Sequence, residues 1–195
     1  KVIVKLNNKH MESNISLTIV ERQILVNQLR ILKQFESSNE VKKDYDNQIE
    51  ALESGYELHY QDAFENISED VLTADECREV LEVLEMFRGI MYSYKALERE
   101  NNVKELKLSK IAFAGFDGNY ETKQMFYVRY FINQLDRYGE IQETANFSDN
   151  FNSHRQMLSI YREMLRLWTQ YRHTLSNPYL MTVEEIMQLT RCYCH

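Results

Sequence analysis

The fold is decided by Ile111-Ala-Phe-Ala-Gly115-Phe-Asp117-Gly118-Asn-Tyr-Glu121 and by the aromatic run from Met125 to Tyr138 that follows it. A short apolar segment enters a turn holding two of the chain's five glycines, Gly115 and Gly118. What leaves the turn has helical spacing: Met125, Val128, Phe131, Leu135 and Tyr138 recur at three- and four-residue steps. Phe126, Tyr127, Tyr130 and Ile132 cover most of the remaining circumference. A helix apolar nearly all round is normally buried on several sides. Residues 120–138 are therefore expected as a buried central helix with the other elements packed around it.

The rest of the 195 residues points to an all-α protein. One proline and five glycines leave few places to turn, which favours long helices over a turn-rich β architecture. Thr18 with Glu21, Thr73 with Glu76 and Thr182 with Glu185 have the spacing of a capping box, in which two side chains satisfy free amides of a first helical turn. After Thr18, the residues Ile24, Leu25, Leu29, Leu32 and Phe35 give the first helix its apolar face. Residues 40–54 carry the thin stripe Val41, Tyr45, Ile49 and Leu52 and stop at Gly55, where a left-handed residue suits glycine. A shorter helix over 56–64 and a loop over 65–70 follow.

The longest predicted helix runs from Thr73 to about residue 101 on Val80, Leu84, Phe87, Met91 and Tyr94. A polar loop over 143–153 leads to a strongly amphipathic helix, with Met157, Tyr161, Met164, Trp168 and Tyr171 spaced 4, 3, 4, 3. Ser176-Asn177-Pro178 ends it, and a short helix follows Thr182. The expectation is a multihelical bundle of about six to eight helices by this periodicity. The alternation of Val2 and Val4 against Lys1, Ile3 and Lys5 hints at a short N-terminal strand. Residues 1–15, where the first methionine is Met11, read as an extension; 16–191 as one domain; 192–195 as a tail. Within the domain lie an acidic half, 36–100, a turn and helix, 110–138, and a basic helix, 153–174.

No stretch approaches the roughly 18 uncharged apolar residues that a membrane helix needs. Three cysteines do not make a disulfide framework, and a reduced, cytoplasmic protein is expected. The net charge of −7 argues against generic nucleic-acid binding, but it hides a division. Residues 36–100 hold 18 acidic and 6 basic side chains, a net of −12, while the remainder holds 12 and 17, a net of +5. Such asymmetry can orient two copies or two different partners; two solvated faces that merely differ would look the same.

Arg155, Arg162, Arg166 and Arg172 against a single Glu163 make the amphipathic helix the nucleic-acid candidate, since arginine neutralises phosphate and reads guanine edges. Trp168 and Tyr171 fall on its apolar stripe, where they would pack rather than stack on bases, and acidic residues of 36–100 would account for the same arginines. Around the turn, Asp117, Asn119 and Glu121, with Arg129 and Asn133 four apart on the helix, could line a ligand-binding or hydrolase-like pocket. Carboxylates at that place also cap helix amides. The two glycines, three apart, are too few and too close for a phosphate-cradling loop. No Walker loop, dinucleotide fingerprint, zinc-protease pair or nucleophile elbow is present, so no catalytic residue, cofactor or metal is assigned. Cys192-Tyr-Cys194-His195 lacks the spacing of a zinc site and reads as a tail with free thiols.

Taken together, Arg22-Gln-Ile-Leu25 with Asn27-Gln28, Gly55-Tyr56, Cys77-Arg78, Glu85-Met86, Gly115-Phe116-Asp117, Glu121, Tyr127-Val128-Arg129, Asn133, Arg137-Tyr138, Met157, Tyr161, Met164-Leu165 and Trp168 form an ordered set. In order and spacing the set resembles the bacterial YfbU family over about residues 15–190. The resemblance implies a small, multihelical, cytoplasmic protein that self-associates, and it brings no catalytic residue with it. The leading expectation is a non-enzymatic interaction or regulatory module forming a homodimer or larger homo-oligomer, with protein partners on its charged surfaces and no membrane contact. A nucleic-acid-associated regulator is the second reading and a site near Asp117 and Glu121 the third.

Overall fold

The computed structural model describes residues 15–64, 67–68, 70–142 and 150–193. The N-terminal alternation and the last two residues of the Cys-Tyr-Cys-His tail lie outside the described residues. The protein is all-α; among the described residues, strand-like pairing is confined to one isolated parallel bridge between Phe116 and Asn152. The chain divides into two compact units between Val71 and Leu72.

In the first unit, α1 (Ile19–Phe35) and α2 (Asn39–Ser54) pack together and a 3-10 helix (Glu57–Phe64) closes on α2. Thr18 and Glu21 form the expected capping box, and Gly55 takes φ +76° to let its N–H reach the Ala51 carbonyl. Val26, Leu29, Ile49, Leu52 and Tyr60 make the core. The apolar face expected for α1 is only partly turned inward: Leu29 is buried and Leu25 packs beside it, but Ile24, Leu32 and Phe35 stay in water. The reason is geometric. Residues 25, 26 and 29 face α2, whereas 20, 24, 31 and 35 lie about half a turn away at 100° per residue. The basic residues of α1 turn toward α2: Arg22 donates to the Leu52 carbonyl at 2.9 Å, Arg30 pairs with Glu53, and Lys33 with Asp46.

The second unit is built on α3 (Ala74–Arg99), opened by the Thr73–Glu76 capping box. Val80, Val83, Leu84, Met86, Phe87, Ile90 and Met91 of α3 are wholly withdrawn from water. Each such side chain contributes on the order of 1.5–3 kcal/mol, so this helix is the spine of the unit. After α4 (Leu108–Ile111), Phe113 and Phe116 bring their rings to 5.2 Å from Phe87 and 5.3 Å from Tyr161, respectively. Edge contacts of this kind add to the area they bury. Helices α5 (Thr122–Arg129), α6 (Gly139–Gln142) and α7 (Leu158–Thr174) pack on α3, and α8 (Val183–Leu189), opened by the Thr182–Glu185 box, packs on α7. Ser93, buried in α3, donates to the Gly89 carbonyl at 2.8 Å and accepts the Met181 N–H at 2.9 Å, tying the segment before α8 to the spine.

One expectation is corrected. Residues 120–138 are not one continuous helix buried at the centre: α5 passes into a π turn (Tyr130–Gln134), the Leu135 N–H bonds back to the Tyr130 carbonyl, and Asp136 and Tyr138 then take positive φ. Met125, Val128 and Ile132 face inward, while Phe126 and Tyr130 are 56% and 46% exposed. The aromatic rings instead meet each other, with Tyr127–Phe131 at 5.9 Å and Phe131–Tyr138 at 5.8 Å. The centre already belongs to α3, so a second helix can bury only one side against it.

Candidate functional site

The turn at 115–121 is held by the segment 151–153. Phe116 donates its N–H to the Phe151 carbonyl and accepts that of Ser153, both at 3.0 Å. Gly115, at φ +91°, lies so close that a Cβ would stand 2.0 Å from the Phe151 oxygen. The Gly118 N–H donates to the Asn152 side chain at 2.9 Å, and the Tyr161 hydroxyl to the Gly115 carbonyl at 2.9 Å. Gly115 thus serves a close approach of backbone to backbone, and Gly118 leaves room for the Asn152 side chain.

Both carboxylates of the turn are buried and engaged. Asp117 Oδ1 accepts the N–H groups of Asn119 at 2.7 Å and Tyr120 at 2.9 Å, the local pattern of an Asx turn. Glu121, 6% exposed, accepts from Asp117 at 3.0 Å, from Met157 at 2.9 Å and from Leu158 at 2.7 Å. Helix α7 begins at Leu158 and has no side-chain cap from its own Met157. Glu121 supplies that cap from a distant part of the chain and sets a carboxylate against the positive end of the helix dipole. Of the remaining residues read from sequence as a pocket, Asn119 and Asn133 are exposed. Arg129 uses its Nε on the Asn150 carbonyl at 2.7 Å and lies over the Phe126 ring. Asp117, Asn119 and Glu121 therefore come together in one turn, and Arg129 is occupied elsewhere.

The helix expected from residue 153 begins only at Leu158, so Arg155 precedes it; Arg155 and the arginines of α7 meet acceptors within their own unit. Arg162 grips Glu79 of α3 with two bonds, 2.6 and 2.9 Å, and this bond chiefly raises its pKa. Arg172 lies 3.9 Å from Glu82, Arg166 pairs with Glu163, and Arg155 donates to the Tyr193 carbonyl at 3.2 Å. Glu79 and Glu82 belong to the acidic half, so part of the charge division closes inside one chain.

A further polar cluster joins α3 to residues far away in sequence. Glu85 accepts from the Tyr138 hydroxyl at 2.9 Å, from Arg88 at 3.3 Å and from the Tyr179 hydroxyl. Arg88 also donates to Glu140 and stacks over the Tyr138 ring, 3.8 Å from its centre. Burial, and then the bond to Glu85, push the Tyr138 hydroxyl far up; for Tyr179 the bond to Glu85 comes first. Burial alone would lower Arg88, but Glu140 and Glu85 outweigh it and the net shift is upward. Phenols held protonated around a carboxylate are donors, not bases. The cluster fastens Tyr138 and Tyr179 to α3. Among the described residues, no group of His, Cys, Asp and Glu is arranged to hold a metal ion, and no helix is long and apolar enough to cross a membrane.

The sequence model of the YfbU domain matches residues 15–191. The chain belongs to the YfbU family. It is 36% identical, over 173 residues, to a UPF0304 protein of Methanocaldococcus jannaschii, covering 89% of this chain and 98% of that protein. The ordered residues that carried the resemblance fall inside the YfbU match, Glu85, Tyr138 and Glu121 among them.

Of the contacts above, sequence reading found the capping role open to Asp117 and Glu121 and the acidic partners open to the arginines. It missed the Glu85 cluster, because Tyr138 counts as apolar in a periodicity and Tyr179 sits 94 residues from Glu85. The one local signal was the three-residue step from Glu85 to Arg88 on a single helix face.

Proposed function

We propose that the chain is a non-enzymatic interaction module that self-associates. The observation that carries this reading is the apolar strip that α1 leaves in water: Val20, Ile24, Ile31 and Phe35 are 67%, 51%, 55% and 84% exposed and lie within about 60° of one another around the helix. Monomeric proteins seldom leave large apolar side chains together in solvent unless a partner covers them. Two further features support it. The buried carboxylates nearest to a catalytic arrangement, Asp117 and Glu121, are spent on backbone amides. Residues 15–71 hold 12 acidic against 5 basic side chains, a difference of −7, so two copies of this unit can meet only on a face free of charge.

The test is the molar mass of the untagged chain by light scattering at micromolar concentration, at low and at high salt. A dimer or larger assembly is expected, and a monomer under all conditions overturns the reading. The absorbance ratio at 260 and 280 nm of material purified from its own cells tests the nucleic-acid alternative in the same run. That alternative requires Arg162, Arg166 and Arg172 to exchange their carboxylates for phosphate, and a ratio that falls on nuclease treatment is the result that would favour it.

A further inference from the structure

We infer that the water-facing stripe of α1 is a docking surface for α1 of a second copy, laid antiparallel to it. The inference rests on the self-association proposed above and names its surface. Val20, Ile24, Ile31 and Phe35 are 67%, 51%, 55% and 84% exposed and follow one another at steps of four, seven and four. At 100° per residue they fall within a strip about 60° wide, on the side of α1 away from Val26 and Leu29. A strip this narrow suits a helix–helix seam better than a broad core-facing side.

The occupant follows from the pattern itself. Asn27 and Gln28 lie in the gap between Ile24 and Ile31. Two α1 helices related by a two-fold axis between residues 27 and 28 set Val20 against the partner's Phe35, and Ile24 against the partner's Ile31. Asn27 and Gln28 border the strip on opposite flanks, so each then meets its own copy across the axis. Apolar groups meet apolar groups and amide meets amide, the self-complementarity that a two-fold interface requires. A polar pair at the centre of an apolar seam fixes its register.

Charge and area agree with this. The strip carries no charged residue: Arg30 and Lys33 lie on the other side of the helix, where they pair with Glu53 and Asp46 of α2; interface cores are depleted of charge in the same way. Antiparallel pairing also sets each helix N-terminus beside the partner's C-terminus, whereas parallel pairing aligns two dipoles. The four apolar side chains leave on the order of 500 Å² in water, the size of the largest apolar patch on a typical monomer, which is often functional. That is more than half of the roughly 800 Å² per partner that a stable pair buries, and the polar flanks of the helix supply the remainder.

The test compares the full chain with Ile24→Asp and Ile31→Asp by light scattering across concentration, with helix content read by circular dichroism. Each substitution is expected to weaken association at least about tenfold while helix content holds, since a charge is buried unpaired only in the assembly. Asn27→Cys, oxidised and mapped by peptide mass, is expected to give a 27–27 linked pair, and Phe35→Cys no 35–35 link. An unaltered chain that is monomeric throughout overturns the self-association and this inference together. An assembly that both aspartates leave intact overturns the α1 surface alone, whatever else covers it. A 35–35 link overturns the antiparallel arrangement. Should either aspartate variant lose its helix content, the cysteine linkages decide.

Discussion

Glu121 accepts the backbone N–H of Leu158 at 2.7 Å, so the first turn of one helix is completed by a side chain 37 residues earlier in the chain. The same carboxylate takes the N–H groups of Met157 and of Asp117. One buried acid therefore satisfies three amides from two segments and locks the 115–121 turn to the start of α7. Such a group is costly to remove, because every amide it serves loses its acceptor at once.

Replacing Glu121 by Ala is accordingly expected to lower stability by about 2–4 kcal/mol, more than an ordinary exposed cap, where about 1 kcal/mol is usual. Glu121→Gln keeps the shape but turns an amide NH2 toward other N–H donors, and should recover less than half of the loss. Urea denaturation followed by circular dichroism measures both. A loss under about 0.5 kcal/mol for the alanine variant would mean that water replaces the carboxylate at no cost.

Two glycines separate strain from freedom. At Gly115 φ is +91° and an added Cβ would meet the Phe151 carbonyl oxygen at 2.0 Å, so Gly115→Ala must part the two segments or unfold them. A loss of about 3 kcal/mol or more is expected, combining strain and lost backbone pairing. At Gly139, nothing lies within 4 Å of an added Cβ and φ is not positive. Gly139→Ala should raise stability by about 0.4–1 kcal/mol through the unfolded chain's lost freedom. Thermal melting of the two variants side by side reports the contrast.

What was legible in the sequence was local. Thr18, Thr73 and Thr182 each found their glutamate three residues on, because a capping box is written in adjacent residues. The core face of α3 was legible for the same reason: a period needs only one segment. The rest depended on partners that no spacing reveals. Periodicity marked residues 125–138 as apolar all round but not that α3 already held the centre, nor that a π turn at 130–134 would interrupt the helix. On α1 it merged two opposed apolar faces into one, and only the position of α2 separates them. Glu121 bonds to α7 and Tyr179 to Glu85 across 37 and 94 positions of chain, separations that no local spacing encodes.

The tyrosines predict an alkaline limit. Burial and the bond to Glu85 hold the Tyr138 hydroxyl far above its ordinary value, whereas in the unfolded chain it loses its proton near pH 10. Above about pH 10 the unfolded state then binds fewer protons than the native state, so stability falls as pH rises, by about 1.4 kcal/mol per pH unit for each such group. Tyr161, fully buried, and Tyr179 add to the slope. Tyr138→Phe should lose about 1–2 kcal/mol at neutral pH, where Glu85 forfeits a donor, and should show a shallower decline between about pH 10 and 11. Urea midpoints at pH 7, 10 and 11 measure both effects. An unchanged slope would place the Tyr138 proton outside the linkage.

Within α3, Gly89 lies tightly against Trp168. A Cβ on Gly89 would stand 2.5 Å from the far edge of the indole, and Trp168 is buried with its Nε1 hydrogen lacking an acceptor. Alanine is favoured over glycine within a helix by about 1 kcal/mol, yet Gly89→Ala is expected to cost about 1–3 kcal/mol, because the ring has no room to retreat. Trp168→Phe removes the outer ring and the unpaired N–H together, so the cavity it opens is partly offset by the polar group it no longer buries. If the methyl and the outer ring compete for one space, the double variant should be more stable than the sum of the single losses by about 1 kcal/mol. Circular dichroism is the readout, since Trp168 is the chain's one tryptophan and its fluorescence vanishes with it. Additivity within about 0.3–0.5 kcal/mol would mean that the spine relaxes around the added methyl without calling on the ring.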